Sequence, residues 1–166
     1  MSSLFGQSPH DVSPLKDATS HRAQGTTPKS KRKELDQVLT GLYEQQGITL
    51  DALPYTQSFE SLYTRYREAA GLPELTRKDV FHRLHNLRKA AKLPRLGRST
   101  TTPIKVSDDD EQRLKELIIE RIGTVGQRDQ LPYDPRIDDL AQVFNTVTGR
   151  SLTQADIWRL IAKIAK

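Results

Sequence analysis

Residues 53 to 89 recur as residues 131 to 166, and this internal repeat constrains the fold more than any other feature of the chain. Leu53-Pro54-Tyr55 returns as Leu131-Pro132-Tyr133, and Leu62, Tyr66 and Gly71 are matched by Leu140, Phe144 and Gly149, all 78 positions apart. After a one-residue deletion the offset is 77. Leu75-Thr76 then matches Leu152-Thr153, Asp79 matches Asp156, Val80-Phe81 matches Ile157-Trp158, Leu84 and Leu87 match Ile161 and Ile164, and Lys89 matches Lys166. The second copy keeps nine identities in 36 residues, and the changes at Val80, Phe81, Leu84 and Leu87 exchange one apolar residue for another. Positions that stay apolar while others drift mark a shared core, so one fold repeated in tandem is expected.

Each copy reads as three helices. Leu35, Val38, Leu39, Leu42 and Tyr43 follow the spacing of an amphipathic helix that stops at Gly47, and Leu114, Leu117, Ile118 and Ile122 are their counterparts. A second helix carries Phe59, Leu62, Tyr63 and Tyr66 up to Gly71; its counterpart starts on the cap and first residue Asp134-Pro135 and carries Ile137, Leu140, Ala141 and Phe144 up to Gly149. The third opens on a capping box, Thr76 to Asp79 and again Thr153 to Asp156. No segment alternates apolar and polar residues strictly enough for a half-buried strand, so the expected class is all-α.

Composition divides the chain further. Residues 1–30, rich in Ser, Thr, Gln, Pro and Asp with no apolar period, read as a disordered tail; 31–98 form the first unit, 99–106 a polar, proline-containing linker, and 107–166 the second unit. No stretch approaches the roughly 18 apolar residues of a membrane span, and the absence of Cys excludes a disulfide framework and thiolate metal sites. An intracellular protein is expected, in the cytoplasm or nucleoid, or in a nucleus. No phosphate-binding glycine loop, Gly-x-Ser-x-Gly elbow or His-Glu-x-x-His is present, so no catalysis, metal or cofactor is expected.

Three short helices with a glycine-containing turn before a capped third resemble the helix-turn-helix class of DNA-binding modules, in its Myb-like and homeodomain-like variants. The resemblance covers residues 31–95 and 107–166 and implies a reader on the third helix. The charges of that helix point the same way. With Leu84 at the core, Val80, Phe81, Leu87 and Ala91 fall on the buried side at about 100° per residue, and Lys78, His82, His85, Asn86 and Lys89 point outward. Arg77, Arg83, Arg88 and Lys92 flank this stripe, and Arg95 and Arg98 extend it into a proline-held tail. The stretch from Arg77 to Arg98 has eight basic residues and one acid, +7, against −2 for the remainder of a chain whose formal charge is +5.

The second unit has ten basic and eleven acidic residues over 104–166, and its matching outward positions are Ala155, Arg159, Ala162, Lys163 and Lys166. The first unit is therefore expected to bind nucleic acid, duplex DNA ahead of RNA, with phosphates met by Arg77, Arg83, Arg88, Lys92, Arg95 and Arg98 and bases faced by Lys78, His82, Asn86 and Lys89. The alternative is an adaptor whose basic face docks on an acidic protein, with the Ala155 and Ala162 face of the second unit as an interface. Phe59, Tyr63, Tyr66, Phe81 and Trp158, at core spacing, are expected to pack, and Asp108 to Glu111 to complement a helix dipole. The run Lys29-Ser-Lys-Arg-Lys33 reads as an import signal, a phosphate-binding arm or a solubilising lead into helix one.

Overall fold

The computed structural model describes residues 28–97 and 101–166, and all regular structure in them is helical. The helices are α1 (Pro28–Gln46), α2 (Gln57–Ala70), α3 (Arg77–Lys89), α4 (Asp108–Ile122), α5 (Pro135–Thr148) and α6 (Gln154–Ile164), with a 3₁₀ turn at Val125–Gln130 between α4 and α5. The tail expected over residues 1–30 lies outside the described residues except for its last three, which begin α1. Among the described residues no helix is long and apolar enough to cross a membrane.

Local chemistry sets the boundaries. The Thr76 hydroxyl accepts from the Asp79 amide while the Asp79 carboxylate accepts from Thr76, and Thr153 with Asp156 repeats the arrangement, so both α3 and α6 open on complete capping boxes. Each such cap contributes about 1 kcal/mol. The Thr76 hydroxyl and amide also hold the Asp79 carboxyl below its usual range. Helices α2 and α5 end on Gly71 and Gly149 at φ 65° and 67°, a left-handed turn that a side chain would strain.

One core runs through both halves of the chain. Leu39, Phe59, Leu62, Phe81 and Leu84 from the first half and Leu114, Leu131, Ile137, Phe144, Trp158 and Ile161 from the second all lie in it at 1% exposure or less. Leu93 and Leu96, before the expected linker, and Ile104 and Val106, within it, pack against this core half-buried. The 101–106 segment is also held by Arg159 donating to the Thr102 carbonyl and by Arg150 donating to the Lys105 carbonyl at 3.3 Å. Its described part is therefore fastened to the second half.

Residues at matching positions meet across the seam between the halves. The Tyr55 amide donates to the Tyr133 phenol oxygen at 2.7 Å, and the Tyr133 amide donates to the Tyr55 phenol oxygen at 2.9 Å. Their rings lie 4.6 Å apart, and both residues adopt positive φ, 64° and 62°, a conformation that costs a bulky residue about 1–3 kcal/mol and persists only where its surroundings enforce it. Burial pushes the Tyr55 phenol up to about 12 and Tyr133 further, so both stay protonated. Phe81 meets Trp158, its match at offset 77, edge to face at 5.6 Å. Lys89 pairs with Asp129 at 2.7 Å, and Lys166 lies 3.6 Å from Asp51.

His85 lies inside this seam at 1% exposure, against Phe81 at 4.7 Å and Trp158 at 6.1 Å. Arg88 approaches Nδ1 at 3.3 Å, which leaves the ring proton on Nε2, where no acceptor meets it among the described residues. Burial, with Arg88 beside it, pushes the imidazole down to about 3.

Two measurements follow from the seam. Tyr55→Phe and Tyr133→Phe each remove the acceptor for a part-buried amide, so each should lower the unfolding free energy by about 1–3 kcal/mol in urea titration. A loss below about 0.3 kcal/mol for both would show that the reciprocal bonds contribute little. The second concerns pH. The unfolded chain protonates His85 near its ordinary value of 6.5 and the folded chain only near 3. Stability should therefore fall as pH drops below 6.5, approaching about 1.4 kcal/mol per pH unit before the carboxylates titrate. In His85→Phe the stability between pH 6 and pH 4.5 should be nearly flat.

Candidate nucleic-acid interface

The capped start and apolar stripe of α3 anchor it on the core, and its polar residues then divide between three surroundings. The first is the seam. Lys78 pairs with Asp134, and Lys89 with Asp129, both acids being buried residues of the second half. The Arg136 guanidinium first, then Lys78, holds the Asp134 carboxyl well below the usual carboxylate range. Burial raises Asp129, but the Lys89 ammonium foremost, with His85 and a backbone hydrogen bond, brings the net shift downward. Lys78 and Lys89, expected to face bases, are thus engaged with the second half. His85, expected on the outward face, is buried there as well. The helical wheel placed all three outward because only the first half's own core was counted, and the second half supplies a second buried side to α3.

The second surrounding is the rest of the first half. Arg77 grips Glu60 through two nitrogens at 2.8 Å, which raises its guanidinium pKa, and lies over the Tyr63 ring at 4.8 Å. Arg88 pairs with Asp51 at 2.9 Å. Arg83 donates to both oxygens of Asp36 on α1, at 2.7 and 2.5 Å, with only 23% of its side chain exposed. The three flanking arginines expected at phosphates therefore all have carboxylate partners.

What remains lies beside α1. The first turns of α1 run alongside the C-terminal half of α3, in register with the Arg83–Asp36 pair, and leave a groove of about 400 Å³ between them. Lys29, Arg32 and Lys33 line one wall, Arg83, Asn86 and Lys92 the other, with Leu87 and Ala90 between. Five cations and one carboxylate, Asp36, give a net +4, and Lys29, Arg32, Lys33 and Lys92 make no ion pair among the described residues. His82 and Arg95 are exposed and likewise unpaired, and Arg98 lies outside the described residues. No aromatic ring lines the groove. The arrangement can hold a chain of phosphates.

The run Lys29 to Lys33 thus belongs to the same surface as α3, which its sequence left open among three roles. Its signal was the helical continuation from Lys29 through Asp36, which places Lys29, Arg32, Lys33 and Asp36 on one face at 3- and 4-residue spacing. Asp51 and Asp129 also escaped notice, although they stand at the repeat offset of 78, two places before Leu53 and Leu131.

A cleft of about 500 Å³ lies between α6, the 49–52 loop and the 101–104 segment. Its cations are engaged: Lys163 with Glu111, Arg159 with the Thr102 carbonyl, Lys166 near Asp51. Ala162, expected outward as part of an interface, is buried at 5% exposure, and it occupies the position that matches His85. In the acidic first turn of α4, Asp110 pairs with Arg150 at 2.6 Å and Glu111 with Lys163.

Comparison with known proteins finds no family model, no curated protein and no solved structure that matches this chain.

The seam assignment of Lys89 has a direct consequence. Lys89→Ala leaves the Asp129 carboxylate buried with its lysine gone, and should destabilise the fold by about 1 kcal/mol, a figure reduced because 60% of Lys89 is solvent-exposed. It should leave any affinity of the α1–α3 groove for phosphates nearly unchanged, and retained stability with lost binding would return Lys89 to the site.

Proposed function

We propose that the chain is a tandem duplication of one helical unit, with the two copies facing across a pseudo-two-fold seam, and that the first copy binds duplex DNA inside the cell through the groove between α1 and α3. The observation that carries the reading is the meeting of Lys29, Arg32 and Lys33 with Arg83, Asn86 and Lys92 in one open groove of net +4. Phosphates neutralised by cations release condensed counterions, and this supplies most sequence-independent affinity. The groove has no aromatic platform for unstacked bases, which favours a duplex over a single strand. The exposed ridge of α3 beside it suits the accessible major groove of B-form DNA rather than the deep, narrow one of an RNA helix.

The duplication rests on pairs of matched residues. The Tyr55–Tyr133 hydrogen bonds and the two lysine–aspartate pairs are contacts that an isologous two-fold interface makes twice, and Phe81 with Trp158 is a residue meeting its own counterpart on the axis. The copies diverge where the groove lies. Helix α1 has 19 residues and a basic start, α4 has 15 and an acidic one.

Fluorescence anisotropy with random-sequence duplex DNA, single strands and duplex RNA tests the reading. Affinity for duplex DNA should fall with a log–log salt slope of roughly −3.6, for about four phosphates contacted. Lys29→Ala/Arg32→Ala/Lys33→Ala should reduce the slope magnitude by roughly 2.7 and leave the melting temperature unchanged. A flat salt response, or full binding by the triple variant, sinks the proposal; binding to an acidic polypeptide alone would favour the adaptor role.

A further inference from the structure

We infer that His82 and Asn86 are the sequence-reading pair of this interface, and that one chain reads a short asymmetric site containing an adenine opposite Asn86. The inference rests on the duplex-binding reading above and adds where its specificity comes from.

The assignment follows from what each polar group of α3 already does. Arg77, Lys78, Arg83, Arg88 and Lys89 are held by Glu60, Asp134, Asp36, Asp51 and Asp129, Asp79 closes the capping box, and His85 is buried. His82 and Asn86 make no hydrogen bond or ion pair among the described residues. They are four residues apart, so they project within about 40° of each other and about 6 Å apart along the helix. Their ridge lies between the seam, where Lys78 and Lys89 are tied, and the groove, whose wall Asn86 shares with Arg83 and Lys92. A strand whose phosphates lie in the groove brings its base edges to this ridge. A carboxamide offers one donor and one acceptor, the pair that matches adenine N7 and N6 in the major groove, and an imidazole N–H suits a purine N7.

The same positions in the second half are closed. Arg159, 77 residues after His82, donates to the Thr102 carbonyl, and Lys163, 77 after Asn86, is paired with Glu111. Leu160, buried, stands where the first half has Arg83. The pseudo-two-fold therefore supplies no second reader, and the target has no inverted repeat.

Selection from a randomised duplex pool, run with the wild-type chain, Asn86→Ala and Asn86→Gln, tests this. The wild type should enrich a short motif without dyad symmetry, with an adenine whose replacement weakens binding about tenfold, at one chain per duplex by sedimentation. Asn86→Ala should lose that discrimination while keeping its melting temperature and, because a carboxamide carries no charge, its salt slope, and Asn86→Gln should keep a preference for adenine at the same or a neighbouring position. An unenriched pool from a protein that binds random duplex, an enriched inverted repeat, or an unchanged motif with Asn86→Ala overturns the inference alone. No binding to any duplex at low salt overturns the nucleic-acid reading beneath it.

Discussion

The reciprocal pair of hydrogen bonds between Tyr55 and Tyr133 is the contact on which the rest of the molecule depends. Each tyrosine hydroxyl accepts from the amide of the other, left-handed tyrosine, so each Leu-Pro-Tyr turn is bonded to its counterpart. Around this pair Phe59 stacks on Tyr133 at 4.9 Å, Phe81 meets Trp158, and the Trp158 indole donates to the Asp51 carbonyl at 2.9 Å. A seam built from rings and backbone bonds, rather than from flexible charged side chains, fixes the angle between the halves closely. That angle decides which side of α3 is buried.

With α3 pinned, its charges acquire different tasks. A +7 stretch reads as one polyanion-binding surface, yet five of its cations have carboxylate partners in the fold. These pairs are mostly half-exposed, and each contributes modestly to stability. Their larger effect is on charge: they cancel α3 cations along the seam and against the first half, and leave Lys29, Arg32, Lys33 and Lys92 as the unpaired cations of the groove among the described residues. His85 runs against stability, because a buried imidazole with an unsatisfied N–H costs free energy that an apolar side chain at that position would not. The matching Ala162 carries no such cost.

The two halves share caps, turns and core positions but differ in the first turns of their leading helices. Basic residues at the start of α1 oppose the helix dipole, which an acidic turn such as Asp108 to Glu111 would complement. A chain that keeps four cations at this unfavourable place, beside the unpaired Asn86 and Lys92, gives up a little helix stability for a surface that attracts anions. In the second half the acids of α4 pair with Arg150 and Lys163, the 101–106 segment covers α6, and the corresponding face closes.

Much of the fold was legible in the sequence because it is local. Helix periods, both capping boxes, the glycine stops and the apolar positions of α2, α3, α5 and α6 depend on spacing within about 15 residues, and the 78-residue offset marked which positions correspond. The groove was half legible: Asn86 and Lys92 were read as part of the site, but Lys29 to Lys33 were left apart because nothing along the chain shows two helices lying side by side. The burial of His85 and the cross-seam ion pairs of Lys78 and Lys89 were not legible, since a helical wheel ranks faces against a single core and α3 has two. The sequence by itself determined the helices, their ends and the excess of positive charge on the first half. Only the tertiary structure decided which of those charges stay free, because pairing depends on acids 17 to 56 positions away, of which Asp129 and Asp134 come within 3 Å of their lysines only across the seam.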